Sequence, residues 1–232
     1  MRLHRGPGEG IPALLVLHDA GAQGAGASWQ PFLDRWPGAS VAPDLPGHGG
    51  SEPAVGGKYL PADAALAGLE VVSETGLGQP PPVVLGHGWG GYGAELLAGG
   101  GRACALVLVD GLGGPWITEE QLARDQAQWL RDVLEDPEAT RWPERLPDPV
   151  LAHGFPSVWE PQFTASRRGA IKVPLLAIET LRSPTPAAQR ADRAAAFGGP
   201  HRVVELDTQG TDGALDEIAT AVLGWLDGSP DR

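Results

Sequence analysis

The strongest constraint on the fold is a series of short, nearly continuous apolar runs that alternate with segments of helical character. Such runs are typical of strands buried on both faces, as in a parallel sheet. Helices between them favour an α/β fold with right-handed crossovers. The predicted strands are residues 13–18, 39–44, 82–87, 105–110, 173–179 and 201–207, and the predicted helices are residues 28–36, 61–74, 89–99, 186–197 and 214–228.

Residues 115–168 interrupt this alternation, because they contain no good strand. The stretch ITEEQLARDQAQWLRDVLED has the apolar spacing of an amphipathic helix, and proline-rich turns follow it. We interpret the segment as a helical lid within a single domain that spans residues 1–232. It is expected to cover the C-terminal edge of the sheet, where open α/β folds bind ligands.

The composition excludes several classes of partner. The 232 residues carry a formal net charge of -12, and the only lysines are Lys58 and Lys172. Nucleic acids and anionic membranes are therefore not expected partners. No apolar run reaches the roughly 20 residues of a membrane span, and the N-terminus does not resemble a signal peptide, which predicts a cytoplasmic protein. Cys104, the sole cysteine, lies in the apolar run ACALVLVD and is expected to be buried.

Residues 83–97, VVLGHGWGGYGAELL, predict a buried strand, a glycine-rich corner and a helix. Gly86, Gly90 and Gly91 would let the helix approach neighbouring strands closely. Gly88 lies at the centre of the corner, where a strained backbone is expected. Glycine accepts such a backbone easily but offers no side chain.

Three motifs resemble the α/β-hydrolase family and occur in the family's order. LLVLHDAG resembles its first parallel strand and oxyanion loop, VAPDLPGHGGS resembles its D-x-x-G-x-G-x-S segment, and GHGWGG resembles its nucleophile elbow, G-H-S-x-G-G. The resemblance covers nearly the whole chain. It implies an α/β-hydrolase fold, with a mostly parallel sheet flanked by helices and a helical lid. The short N-terminus implies that the family's first antiparallel strands are reduced or absent.

The resemblance also implies where a serine, an acid and a histidine would stand. Those positions are occupied by Gly88, Ser183 and Thr211, and no histidine follows His201. The serine needs the histidine to take its proton, and the histidine needs the acid to orient it. Three changes together predict a degenerate catalytic triad.

Some reactive groups remain near the same edge. The backbone N–H groups of Ala20 and Trp89 are the candidate oxyanion donors. Asp19 replaces the usual glycine of the oxyanion loop, and its carboxylate would tend to repel an oxyanion. Asp19, Asp110 and Asp212 are the candidate displaced acids or bases, although a structural, turn-forming role is favoured for Asp110.

The tryptophans on the elbow and lid suggest a ligand pocket. Tryptophans at such positions commonly pack a lid against the core. The more specific hypothesis is that several line an apolar pocket together with Ala20. The expected ligand-binding residues are Ala20, Trp89, Trp116, Trp142 and Trp159.

A metal site at this edge is considered and not favoured. His18, His48 and His87 lie near the C-terminal ends of strands, close to Asp19 and Asp44. Each histidine matches a position that the family often fills with histidine for structural reasons, and no metal-ligand spacing is present. The sequence predicts neither a metal nor a cofactor.

Three functional hypotheses follow. The first is a non-catalytic pseudo-hydrolase that binds a small apolar or acyl-type ligand, or a protein partner. The second is an enzyme of displaced, non-serine mechanism, such as a hydrolase, lyase or cyclase. The third is a structural or interaction subunit, for which a homo-oligomer is one form. The fold by itself does not choose between them.

Overall fold

The computed structural model shows a sheet of seven strands. It describes residues 1–19, 25–52, 61–113 and 167–228 and the single positions 120, 124 and 127. For residues 25, 27, 61 and 212 it describes the backbone alone. The spatial order is β1-β3-β2-β4-β5-β6-β7, and every pairing is parallel except that of β1 with β3. The strands are β1 Leu3–Arg5, β2 Leu14–Leu17, β3 Ser40–Pro43, β4 Val83–His87, β5 Ala105–Val109, β6 Leu175–Glu179 and β7 His201–Glu205.

Helices cover both faces of this sheet. They are α1 Ala25–Leu33, α2 Pro61–Thr75, α3 Gly90–Gly99, α4 Ala187–Ala195 and α5 Leu215–Leu226. Residues of α2, α3 and α4 belong to one buried apolar cluster, and residues of α1 and α5 belong to the other. The predicted mostly parallel α/β architecture is therefore confirmed, with all six predicted strands and all five predicted helices present.

The continuous apolar runs are explained by burial on both faces. In β2, Leu15 and Leu17 contribute to one cluster while Leu14 and Val16 contribute to the other, and all four are fully buried. A strand with a helix layer on each side has no solvent face, so it needs no polar alternation.

Two elements differ from the prediction. Helix α1 begins and ends three residues earlier than predicted. It ends early because the N–H groups of Arg35 and Trp36 donate to carbonyls three residues back, as in a 3-10 turn. Strand β1 was not predicted. It is too short for a periodic pattern and exists because it pairs antiparallel with β3.

The expectation for Cys104 was wrong. Its side chain is exposed, immediately before β5 begins at Ala105. The apolar run that follows it is buried, but the cysteine lies one residue outside that run.

The predicted lid lies almost entirely outside the described residues. Within it, positions 120, 124 and 127 are helical, and Arg124 binds Glu120 at 2.6 Å one turn away. The helical lid and the single-domain boundaries stay predictions. Among the helices that are described, none combines the length and apolar character needed to cross a bilayer.

A buried ion pair holds α3 to the chain that returns after residue 166. Arg168 donates to both carboxylate oxygens of Glu95, at 3.0 and 2.6 Å, and also to the carbonyl oxygen of Leu112 at 3.2 Å. Both charged side chains are almost completely buried. Burial raises the pKa of Glu95, and the Arg168 charge opposes that rise. Nothing in the sequence pattern singled out this pair.

Asp44 organises the loop that follows β3. Its carboxylate accepts hydrogen bonds from the Gly26 N–H at 3.1 Å and the Gly50 N–H at 2.8 Å, and it contacts His4 Nε2 at 2.9 Å. Its backbone carbonyl accepts from the Ser51 hydroxyl at 2.6 Å. These contacts give Asp44 and Ser51 a structural role in this loop.

Replacing Asp44 with alanine is expected to lower the free energy of unfolding by about 3 kcal/mol, because the buried Gly26 N–H, the Gly50 N–H and His4 lose their acceptor. Urea denaturation would measure the change. Asp216→Ala is the control, since Asp216 is 88% exposed in its ion pair with Arg35 and should contribute well under about 1 kcal/mol. Equal losses in the two variants would contradict a structural role for Asp44.

Candidate functional site

The corner between β4 and α3 has the geometry expected from its glycines. Gly88 has φ +50°, in the left-handed region that favours glycine, and its N–H donates to the Val109 carbonyl oxygen at 2.9 Å. A Cβ on Gly86 would lie 2.5 Å from the Cα of Gly91, and one on Gly90 would overlap the Leu17 carbonyl oxygen. The close approach of helix to strand therefore depends on residues without side chains.

The carboxylate of Asp19 lies directly over Gly88. A Cβ built on Gly88 would overlap Cγ and Oδ1 of Asp19 and would be 2.7 Å from Oδ2. The Trp89 N–H donates to Oδ1 at 2.6 Å. One carboxylate thus takes both the space of a side chain at the corner and a hydrogen bond offered by the helix N-terminus.

This contact corrects the expectation for the oxyanion donors. The N–H of Trp89 was expected to be available to an oxyanion, but it is bound to Asp19. The second expected donor, Ala20, lies outside the described residues. Asp19 acts on the corner more directly than predicted, because it occupies the position instead of only repelling an incoming anion.

His18 holds the backbone of Asp19 in place. Its Nε2 accepts the Leu45 N–H at 2.8 Å, so Nδ1 carries the proton that is donated to the Asp19 carbonyl oxygen at 2.7 Å. Burial, followed by the neighbouring His48, lowers the pKa of His18 well below its ordinary value. A neutral imidazole with both nitrogens engaged is a structural group, not a base.

The other histidines near this edge are also packed. His48 meets His18 edge-on at 4.7 Å and contacts the Pro46 carbonyl oxygen through Nδ1 at 2.9 Å. His87 packs against Trp29 at 5.7 Å. Across the described ranges, no group of three or more His, Cys, Asp or Glu side chains has the arrangement of a metal site.

Asp110 directly follows β5, and both of its carboxylate oxygens are engaged. Oδ1 accepts the Thr180 N–H and Oδ2 accepts the Thr180 hydroxyl, both at 2.7 Å. The residue is buried and has φ +48°, a backbone that aspartate tolerates in turns. These bonds support the structural role over the hypothesis of a displaced acid or base.

Ser183, at the predicted acid position, is coupled to Glu179. Its hydroxyl donates to Glu179 Oε2 and accepts the Thr185 N–H at 3.0 Å. Sequence reasoning missed Glu179, although it ends the apolar run VPLLAIE as Asp110 ends LVLVD, and that parallel could have identified it.

Glu179 is a fully buried carboxyl group at the end of β6. The pKa of Glu179 is raised to about 7, mainly by burial and also by the nearby Asp110, while the Ser183 hydroxyl and Arg190 act in the opposite direction. The nearest guanidinium atom, Nε of Arg190, is 3.9 Å from Oε2. Oε1 accepts no hydrogen bond of normal geometry from the described residues. The group is therefore protonated over part of the neutral range.

Thr211, at the predicted histidine position, begins a 3-10 helix, Thr211–Gly213, after Gly210 with φ +100°. It is half-buried. The backbone of Asp212 lies in the same turn, and its side chain falls outside the described set. Because β4, β6 and β7 are parallel, Gly88, Ser183 and Thr211 all follow strand ends at one edge of the sheet.

The indole of Trp89 is buried in the core cluster next to α3, with 4% exposure. Its Nε1–H has no hydrogen-bond acceptor among the described residues. The other expected pocket residues, Trp116, Trp142 and Trp159, lie outside those residues. Two cavities of about 380 and 480 Å³ lie elsewhere, beside Gly99 and beside Gly78, and neither is lined by Gly88 or Trp89.

The raised pKa of Glu179 predicts a pH-dependent stability. Between its ordinary value of 4.5 and about 7, the folded state holds a proton that the unfolded state releases. This contribution to the free energy of unfolding is complete below pH 4.5 and is lost as the pH rises through 7, by at most about 3 kcal/mol. Glu179→Gln should remove the decline, as measured by urea denaturation at several pH values across and above this window.

Glu205→Gln is the control for that experiment, because Glu205 ends the neighbouring strand but is 60% exposed. Its pH profile should run parallel to that of the unsubstituted protein. A Glu179→Gln profile that also runs parallel would show that Glu179 titrates normally.

Comparison with known proteins agrees with the geometry. The model of the alpha/beta hydrolase family matches residues 14–226. A search among curated proteins finds no sequence that matches. Similar solved structures include a thermophilic esterase from Thermogutta terrifontis, with 20% identity, a TM-score of 0.72 and coverage of 98% of this chain and 93% of the other.

Two further structures share the fold. An enol-lactonase from Burkholderia xenovorans LB400 has 19% identity and a TM-score of 0.69, covering 97% of this chain and 96% of its own. MenH from S. aureus has 16% identity and a TM-score of 0.72, covering 99% and 98%. At these identities the likeness concerns the fold alone. The family match, which spans most of the sequence, shows that the chain belongs to the α/β-hydrolase family.

Proposed function

We propose that this chain is a non-catalytic member of the α/β-hydrolase family that binds a small apolar or acyl-type ligand. The observation that carries the proposal is the Asp19 carboxylate, which overlaps the place of a nucleophile side chain at Gly88 and accepts the Trp89 N–H. Serine hydrolysis needs that side chain and that donor together.

The charge of Asp19 also opposes the reaction itself. Acyl transfer develops an oxyanion beside the corner, where donors must stabilise it. Here a carboxylate already occupies one donor, so a second negative charge would meet repulsion instead of hydrogen bonds. A neutral ligand brings no such charge.

The acid and base positions support the same proposal. The Ser183 hydroxyl is directed at buried Glu179, and Thr211 lies in a short 3-10 turn. His18, which precedes the Asp19 that lies over the corner, is held neutral by its burial and its two hydrogen bonds. None of these groups is arranged to take a proton from a nucleophile at the corner.

A ligand is favoured by the buried indole of Trp89. A buried polar group without a partner costs about 1–3 kcal/mol. A carbonyl oxygen of an acyl-type ligand would accept the Nε1–H, and the predicted lid residues Trp116, Trp142 and Trp159 would supply apolar walls. The proposed ligand is thus an apolar molecule with one carbonyl group.

A panel of short-chain and aryl esters, run at high protein concentration with a fluorophosphonate label alongside, tests the absence of catalysis. The expected result is neither turnover nor label. Turnover with label would reveal a serine nucleophile and overturn the proposal.

The second candidate is an enzyme of displaced mechanism centred on Asp19. It is favoured by the same contact, since a carboxylate at the nucleophile's place, next to a backbone donor, could act as a nucleophile or base. Turnover without label that is lost in Asp19→Asn would support this candidate and reject the first.

Restoring a triad tests the blocking role of Asp19. Gly88→Ser, Ser183→Asp and Thr211→His together should give no esterase activity, because the new serine overlaps the Asp19 carboxylate. Adding Asp19→Gly should produce fluorophosphonate labelling and ester turnover. Labelling of the variant that keeps Asp19, at the same level as the variant that lacks it, would show that the carboxylate does not block the corner.

Trp89→Phe tests the ligand contact. Equilibrium dialysis with methyl hexanoate should show affinity reduced by about five- to tenfold, the value of one lost hydrogen bond. Trp29→Phe is the matched control, because Trp29 is equally buried on the other face of the sheet and should leave binding unchanged. No binding of the ester to the unsubstituted protein, or equal losses in the two variants, would count against the proposed site.

A further inference from the structure

Strand β7 forms one edge of the sheet and differs from the strands inside it. Every residue of β2, β4 up to Gly86, β5 and β6 is buried, whereas every residue of β7 is at least partly exposed. It pairs with β6 on one side, and within the described ranges no strand pairs with its other side. An open edge offers backbone donors and acceptors to another chain.

The backbone bonds identify which residues face outward. The Leu175 N–H donates to the Pro200 carbonyl oxygen, and the Leu206 N–H donates to the Glu179 carbonyl oxygen, each at 2.9 Å. In a parallel ladder, alternate residues bond the same neighbour, so Arg202 and Val204 face β6. The N–H and C=O groups of His201, Val203 and Glu205 therefore point away from the sheet.

This edge lacks the usual protection against pairing. The strand contains no proline and no lysine, and its register with β6 runs unbroken from His201 to Glu205. Proline, lysine and bulges are the devices by which edge strands avoid partners. Its charged residues are Arg202 and the terminal Glu205.

The residues whose backbone groups point outward are self-complementary when a second copy of the strand runs in the opposite direction. When a second strand with the same sequence runs antiparallel and Val203 lies opposite Val203, His201 comes opposite Glu205 at each end. All of these are hydrogen-bonded pairs, which use the outward backbone groups. His201 and Glu205 are both exposed. The Glu205 side chain is 60% exposed although its Oε1 lies 3.1 Å from Nη1 of Arg190.

We propose that β7 is a self-association edge, at which a second copy of this chain pairs antiparallel about a two-fold axis through Val203. The two-fold closes the assembly as a dimer and extends the sheet across both copies. The self-complementary order His201–Val203–Glu205 favours a second copy over an unrelated chain. The one unfavourable feature is Arg202, which this register places diagonally from its own copy, where long side chains can turn apart.

The proposal is independent of the proposed ligand function. The paired atoms are backbone groups on the outer side of β7, whereas the ligand contact is proposed at Trp89, three strands away in the sheet order. Ligand binding and self-association can therefore fail separately.

Sedimentation equilibrium of the full chain, in low-salt, mildly alkaline buffer from micromolar to submillimolar concentration, tests the edge. The unsubstituted protein should show a monomer–dimer equilibrium. Val203→Pro should weaken it by more than about tenfold, because proline removes the central outward N–H while the bonds to β6 come from other residues.

Charge variants at His201 keep the test falsifiable if Val203→Pro does not fold. His201→Glu puts like charges opposite each other at both ends and should weaken association about tenfold or more, whereas His201→Lys should leave it equal or tighter. Ala191→Glu, an exposed position on α4, is the control for added negative charge and should change nothing. Circular dichroism and thermal unfolding would confirm that each variant is folded.

Two results would overturn the proposal. One is a protein that stays monomeric across the whole concentration range. The other is a dimer whose affinity is the same in the unsubstituted protein, in folded Val203→Pro and in His201→Glu, which would place the interface on a different surface.

Discussion

The contact between the Asp19 carboxylate and the corner at Gly88 is the interaction on which the rest of the site depends. Gly88 takes a left-handed backbone between β4 and α3, directly beneath Asp19, and only a glycine leaves room there for the carboxylate. The carboxylate in turn satisfies the Trp89 N–H, one of the donors that a helix start leaves unpaired. Without the Asp19 carboxylate, the Trp89 N–H would lose its acceptor.

Other acidic side chains at the carboxyl ends of the strands are also held by hydrogen bonds from nearby residues. Asp110 is held by Thr180, and Glu179 Oε2 is held by Ser183, so the carboxylates that end β5 and β6 are turned toward local donors. Each helps to close the turn that follows its strand. An edge that in a hydrolase would present reactive groups to a substrate here directs several of its polar atoms inward, which agrees with the proposed loss of catalysis.

The proposed ligand binding and the proposed self-association depend on different interactions. Ligand binding would depend on a buried indole donor and on apolar lid residues, so it would respond to the chemistry of the ligand. Self-association at β7 would depend on backbone bonds and on the order of three side chains, so it would respond to concentration and charge. The proposed loss of catalysis is compatible with both kinds of surface, because neither requires a nucleophile.

The amino-acid sequence by itself determined the architecture and the absence of a side chain at the corner. Continuous apolar runs and helical spacing predicted six strands and five helices because these patterns are local, and the glycines around Gly88 predicted a tight corner for the same reason. The sequence also placed Asp19 near that corner. Only the tertiary structure decided that its carboxylate fills the space over Gly88, since residues 70 positions apart along the chain meet there.

The tertiary structure likewise decided the burial of Glu179, the pairing of Glu95 with Arg168 and the existence of β1. Each joins positions far apart along the chain, and no periodic pattern encodes such a meeting. Cys104 shows the limit of a local pattern. The apolar run around it predicted burial, but it lies just before β5 begins and is exposed. Local patterns specify which elements form, whereas charge partners and free edges are determined only when those elements pack together.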